Sequence, residues 1–265
     1  MSMFRNVTIG QYIPGNSIIH RLDPRTKILV TTLLIVVLFM VNGFVGYGLV
    51  AVGIAAVIWA SEIPWRYVIR GLRPLLVILI LTVSLHLFMT EGRVILQIWF
   101  LKVTWEGLVR GVMMGSRLIL LIVGTSLLTL TTSPIQLTDG IESLLTPGKK
   151  IGIPAHELAM MMTIALRFIP TLLEETEKIM KAQMARGADF QSGGIMQRAK
   201  SLVPLLVPLF VNAFRRADDL AIAMEARGYR GGEGRTKFRE LKLQRVDAVA
   251  LTVVIAFTVV VGVFF

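Results

Sequence analysis

ILVTTLLIVVLFMVNGFVGYGLVAVGIAAVIWAS, residues 28–61, contains no charged side chain. The hydrocarbon core of a bilayer is about 30 Å thick and takes roughly 20 residues of helix, so one helix over the whole run would overshoot it. Asn42-Gly43 and Gly46-Tyr47-Gly48 supply turn residues in its middle. The run therefore reads as two spans, near 24–42 and 45–61. Asp23 is a good N-cap and Pro24 suits the first helical position, so the first span is predicted to start there.

Composition extends this reading to the whole chain. Of 265 residues, 54% are hydrophobic and 17% charged, and the mean hydropathy is +0.71. An average soluble domain carries about 25% charged residues. With apolar runs of span length, this composition gives an all-α, polytopic membrane protein. The chain has no cysteine, which excludes disulfides, thiolate nucleophiles and cysteine metal sites. Residues 1–11 lack the apolar core and cleavage pattern of a signal peptide. A net charge of +11 fits basic residues kept on the cytoplasmic side and attraction to anionic headgroups. No interleaving of basic and aromatic residues points to nucleic acid.

Further along, Pro74 is predicted to open a third span near 73–90. Residues 91–107 read as an outer loop with interfacial aromatics, and a fourth span runs near 108–131. Arg117 lies inside that span and must face protein, water or a headgroup. A fifth span covers 247–265. Arg5, Arg21, Arg25 and Lys27 precede the first span, and Arg66, Arg70 and Arg73 fill the second connection, while the first connection has no basic residue. That asymmetry places the N-terminus in the cytoplasm and the C-terminus outside. The expected organisation is thus a four-span region 1–131, a cytoplasmic or interfacial region 132–246, and a final span 247–265.

The middle region holds a short amphipathic segment, 134–146, and two long helices. The first opens at Pro154, with an apolar stripe through Leu158, Met161, Met162, Ala165, Leu166, Ile169, Leu172 and Leu173. The second covers about 195–228 and is apolar over 202–214. Arg167, Glu174, Glu175, Arg198, Lys200, Arg215 and Arg216 argue against simple spanning helices. Helices of this kind are expected to lie on or dip into the membrane, packed on each other.

Both long helices end alike, in Ala185-Arg186-Gly187 and Ala226-Arg227-Gly228. Aligning the tripeptides sets Glu177 on Asp218, Ile179 on Leu220 and Ala182 on Ala223. Prolines precede both ends, Pro170 in the first helix and Pro204 and Pro208 in the second. Glycine after a helix takes the left-handed conformation at no steric cost. Arginine in the last turn faces the negative end of the helix dipole, and its fork of donors can grip a carboxylate or carbonyls of another protein. One such end is an ordinary helix stop. Two matched copies point to function.

Catalytic signatures are missing. Pro147-Gly148-Lys149-Lys150 does not form a phosphate-binding loop, and His20, His86 and His156 are scattered. Asp218-Asp219 reads as a solvated helix face, and no Gly-x-Ser-x-Gly elbow occurs. No metal site is expected. A self-contained secondary transporter would carry inverted repeats and a polar site at the bilayer midplane. A membrane enzyme acting on lipids would need clustered acids or histidines.

Four stretches carry a family resemblance: Leu22-Asp23-Pro24-Arg25-Thr26-Lys27, Leu166-Arg167-Phe168-Ile169-Pro170, Ala185-Arg186-Gly187, and Ala223-Met224-Glu225-Ala226-Arg227-Gly228-Tyr229. With them the chain resembles the transmembrane T component of energy-coupling factor transporters, bacterial importers of vitamins and related micronutrients in the ATP-binding-cassette class. The resemblance implies a multi-pass scaffold in the bacterial cell membrane, not an enzyme. It implies two cytoplasmic ATPase subunits and a small substrate-binding membrane subunit as partners. ATP and Mg would be bound by the ATPases, with no cofactor on this chain. Ala185, Arg186, Gly187, Ala226, Arg227 and Gly228 would dock in the ATPases, and Pro170, Pro204 and Pro208 would act as hinges. Leu158, Met162, Leu166, Leu206 and Phe210 would form an apolar platform for the substrate-binding subunit.

Overall fold

Asp23 caps the first long helix as its chemistry predicts, its Oδ1 accepting the backbone N–H of Arg25 at 2.9 Å. The computed structural model describes residues 12–41, 43–98, 101–190, 194–232 and 241–264. A single turn, α1 (Ile18–Arg21), precedes that helix, capped by Ser17. Helix α2 (Pro24–Met40) and helix α3 (Phe44–Ser61) divide the uncharged run. Asn42, half of the expected turn, lies outside the described residues.

The second connection is shorter than its sequence implies. Helix α4 (Trp65–Leu72) already contains Arg66 and Arg70, and a 3-10 turn (Arg73–Leu75) carries the chain into α5 (Leu76–Met89). Pro74 sits near the start of its own turn, where no N–H is required of it, so it joins two helices instead of opening one. The expected outer loop contains a small antiparallel hairpin, β1 (Val94–Ile98) with β2 (Leu101–Thr104), in which Val94 faces Thr104 and Ile98 faces Leu101. Valine, isoleucine and threonine in this stretch favour strand. Trp99 lies outside the described residues.

Thr104 caps α6 (Trp105–Thr131). The chain continues through α7 (Pro134–Leu145), a 3-10 turn (Thr146–Ile151), α8 (Ala155–Ala185), α9 (Ile195–Ala226) and α10 (Arg245–Phe264). The fold is all-α apart from the hairpin. Residues 1–11, which hold Arg5, and residues 233–240, which hold Arg235, Lys237 and Arg239, lie outside the described residues.

Five helical stretches have the length and apolar composition to cross a membrane: Phe44–Ser61, Trp65–Met89, Trp105–Thr131, Ala155–Ala185 and Arg245–Phe264. The set differs from the sequence expectation by one exchange. Helix α2 has 17 residues, the short end of the spanning range. Helix α8 enters instead, at a mean hydropathy of 1.2 against 1.8 to 2.5 for the others. The reason is uneven charge along α8. Its first half holds only Glu157 and Arg167, and its acids and lysines gather over 174–181.

The described chain forms two units, one of residues 12–140 with 241–264, the other of residues 141–232. In the first, α6 packs against α2, α3, α4 and α5, and α10 packs on α2. Val37, Leu38, Val50, Ile54, Leu127, Leu130 and Val261 form its buried core. Helices α5 and α6 approach closely at Gly107, where a Cβ would stand 2.7 Å from the His86 carbonyl oxygen and 2.9 Å from that of Leu87. Small residues let membrane helices meet in this way.

Charges inside this unit are matched. Arg117 donates through Nε to the Tyr47 hydroxyl at 2.8 Å and through a terminal nitrogen to the Val41 carbonyl at 3.2 Å. Its guanidinium also lies over the rings of Phe39 and Tyr47. It thus caps the carbonyl end of α2 and faces protein. Buried Lys27 donates to the carbonyls of His20 and Thr131. Asp247 starts α10, accepting the N–H of Gln244 with one oxygen and that of Asp23 with the other, both at 2.8 Å. One carboxylate therefore ties the first residues of α10 to the start of α2.

In the second unit α8 and α9 pack on each other. Arg216 of α9 donates to the Glu175 carboxylate of α8 and lies 5.9 Å from the Phe168 ring centroid. Both helices run unbroken through Pro170, Pro204 and Pro208.

Candidate docking site

Alanine carries each long helix to its end, and glycine then stops it. Ala185 is the last residue of α8 and Ala226 the last of α9, with Arg186 and Arg227 at the two C-cap positions. Gly187 has φ +88° and Gly228 φ +72°, left-handed values that disfavour any residue with a Cβ. Gly187 donates to the Met184 carbonyl and Ala188 to that of Gln183, both at 3.0 Å. Gly228 donates to Glu225 at 2.8 Å and Tyr229 to Met224 at 3.0 Å. Each end is thus a Schellman motif with the same bond pattern, in which the chain turns back to satisfy the last carbonyls.

The turn leaves Arg186 and Arg227 exposed. Among the described residues neither guanidinium is paired with a carboxylate. Two forked cations at helix ends, held in register by backbone bonds, can receive acidic or carbonyl groups of another protein.

Their surroundings differ. A cavity of about 610 Å³ opens beside Arg227, lined by Glu142, His156, Met160, Thr163, Tyr229 and Arg230 among others. In its wall His156 Nδ1 lies 3.0 Å from Glu142 Oε1, and the Gly232 backbone lies against the imidazole. The sequence offered no sign of this pair, because 14 residues and a turn separate its members. The Glu175–Arg216 contact had a usable sign. Its members are 41 residues apart, the same separation as Arg186 and Arg227, so equivalent positions of the two helices meet.

The expected apolar platform is largely uncovered. On α9, Leu202, Leu206, Phe210 and Phe214 follow at intervals of four and are exposed, with Val203, Val207 and Val211 beside them. Leu205 faces inward. On α8, Leu158 is exposed, while Met162 and Leu166 are half-buried and Met161 is the more open methionine.

These features define a class: an all-helical, multi-pass membrane protein whose second unit carries paired, arginine-tipped helix ends and an open apolar face. The model of the cobalt transport protein family CbiQ matches residues 15–238. A Thermosediminibacter oceani protein named energy-coupling factor transporter transmembrane protein is 68% identical over 246 residues, covering 93% of both chains. A Clostridium kluyveri protein of the same name is 58% identical, covering 94% of this chain and 93% of its own length. One from Bacillus subtilis is 52% identical, covering 90% and 91%. The chain belongs to this family, the transmembrane components of energy-coupling factor transporters, and is a non-catalytic membrane subunit of a multisubunit transporter.

Proposed function

We propose that this chain is the scaffold of its transporter, joining two cytoplasmic ATPases to a small membrane subunit that binds a vitamin or related micronutrient. Arg186 and Arg227 each enter an acidic groove of one ATPase. The apolar face through Leu158, Met162, Leu166, Leu206 and Phe210 receives the substrate-binding subunit. ATP and Mg are held by the ATPases and no cofactor by this chain. The N-terminus lies on the ATPase side, as the early arginines suggest.

The observation that supports this reading best is the identity of the two helix ends. An incidental stop needs the glycine but has no need of the same exposed arginine twice. The ATPases close when they bind ATP and would draw the two ends together. Helices α8 and α9, joined through Glu175 and Arg216, would carry that movement to the platform, with Pro170, Pro204 and Pro208 as points where the helices give. A tagged chain should co-purify with an ATPase pair and a small membrane protein from the native membrane. A solitary chain that takes up solute by itself would instead support a secondary transporter.

A further inference from the structure

Arg66, Arg70 and Arg73 succeed one another at intervals of four and three along α4 and the turn that follows. At about 3.6 residues per turn they fall within roughly 60° of one another around the helix. Val68 is buried, and a Cβ on Gly71 would stand 3.0 Å from Ser126 Oγ of α6. Those two residues mark the side packed on α6, and the arginines occupy the opposite side, all three exposed. Among the described residues no carboxylate is ion-paired with any of them, Glu62 included. Among the described residues their ring contact is local, Arg70 over Tyr67 at 5.4 Å.

The depth of this face in a bilayer follows from its neighbours. The apolar stretch Trp65–Met89 has 25 residues, a rise of about 37 Å, which exceeds the hydrocarbon core by several ångströms. Three residues separate its start from the end of α3 at Ser61. Its first turns therefore stand among headgroups. Trp59 and Trp65, 85% and 66% exposed, mark the same level. Between them lies an open, mostly apolar crevice of about 430 Å³, lined by Ala55, Ile58, Trp59, Ile63, Pro64 and Trp65 together with the carboxylate-bearing Glu62. Trp65 and Ile69 form the stripe next to the arginines.

We propose that this face binds the phosphate of an anionic phospholipid, with an acyl chain in the crevice between Trp59 and Trp65. Guanidinium forks match phosphate oxygens, and three of them without internal acids favour a headgroup of net negative charge. A choline headgroup would bring a cation against them. The site is independent of the docking reading above.

The test uses the full chain with Trp99 and Trp105 changed to Phe, which leaves Trp59 and Trp65 as fluorophores. The protein is reconstituted into mixed phosphatidylglycerol and phosphatidylcholine vesicles, with bromine on the acyl chains of one lipid or the other. Brominated phosphatidylglycerol should quench beyond its mole fraction, with a preference of up to about fivefold per arginine. The preference should fall as sodium chloride rises. It should vanish in R66A/R70A/R73A, with quenching by the brominated choline lipid rising to its mole fraction, and persist in part in R66K/R70K/R73K. Quenching that follows mole fraction in the parent chain overturns the site, as does a preference that survives the triple alanine change. Loss of preference to inorganic phosphate, but not to chloride of equal ionic strength, would mark a free-phosphate site and overturn the lipid. If the alanine variant does not reconstitute, the lysine variant and the salt series decide. A preference indifferent to both overturns the proposal.

Discussion

Breaking the Arg216–Glu175 pair should loosen α8 from α9, and the structure sets the scale. The two side chains are 33% and 19% exposed. An exposed pair is worth about 0.2–1 kcal/mol, and breaking a buried one costs about 3–5 kcal/mol. This pair lies between them, and Glu175 Oε2 is buried without a hydrogen-bond partner among the described residues. Loss of Arg216 leaves that carboxylate uncompensated, so R216A should cost about 1–3 kcal/mol. The chain has no cysteine, and Leu205, buried in the same unit, makes a reporter as Leu205→Cys. Its thiol labels only when the helices open, so its rate reads the local opening equilibrium. In that background R216A should speed labelling about 5- to 150-fold, at about 1.4 kcal/mol per tenfold. E175A should do likewise, and E175A/R216A should fall short of the product of the two. A coupling energy within about 0.5 kcal/mol of zero, the range of independent sites, would refute the pair as the joint between the helices.

Four further outcomes follow. Gly107→Val should destabilise the α5–α6 contact by about 1–3 kcal/mol or more, since the new side chain meets backbone carbonyls that cannot turn aside; thermal unfolding in detergent followed by tryptophan fluorescence reads it. Asp247→Ala leaves two backbone donors unmatched at about 1–3 kcal/mol each, and hydrogen exchange at Asp23 and Gln244 should rise. His20 lies between Ser17 Oγ at 2.6 Å and the Ile13 carbonyl at 3.1 Å. Burial, helped by the charge of Lys27, holds its pKa below the usual 6.5 against the pull of that carbonyl. The folded state therefore binds the proton less readily than the unfolded chain, so the stability tied to neutral His20 is full above about pH 6.5 and declines as pH falls below it; its imidazole resonance should titrate below 6.5, and His20→Gln should remove the dependence. Single cysteines at Ser2 and after Phe265 should label from opposite faces of the membrane, as five spans require; labelling from the same face would defeat that topology.

Local chemistry made much of this fold legible. The cap at Asp23, the proline at the first turn and the two glycine stops depend on neighbours a few residues away, and all stand where the sequence puts them. Arg117 was legible as a charge needing a partner, though its acceptors Tyr47 and Val41 were not. What escaped depends on distance or degree. Pro74 signals a helix start as readily as a junction. Asp247 reads as an ordinary first-turn acid until Asp23, 224 residues away, is brought beside it. Helix α8 has the length and apolar composition of a span because its charge gathers in its second half, which its total charge does not show. Of the candidate docking site, the arginines and glycines are visible in the sequence as a repeat, whereas the Glu142–His156 wall exists only in the folded chain.

In the proposed scaffold Arg186 and Arg227 transmit ATP-driven movement. ATP-dependent uptake and ATPase retention, measured together on R186A, R227A and R186A/R227A, test it most directly. Truncating the arginine of a desolvated charge pair at each contact should cost on the order of 2–5 kcal/mol, and two contacts on one body partly mask each other. Each single change should therefore impair uptake more than assembly, and the double change should abolish both. Arginines that merely end helices would cost up to about 1 kcal/mol. Normal uptake by the double variant, with both ATPases still bound, would contradict the account.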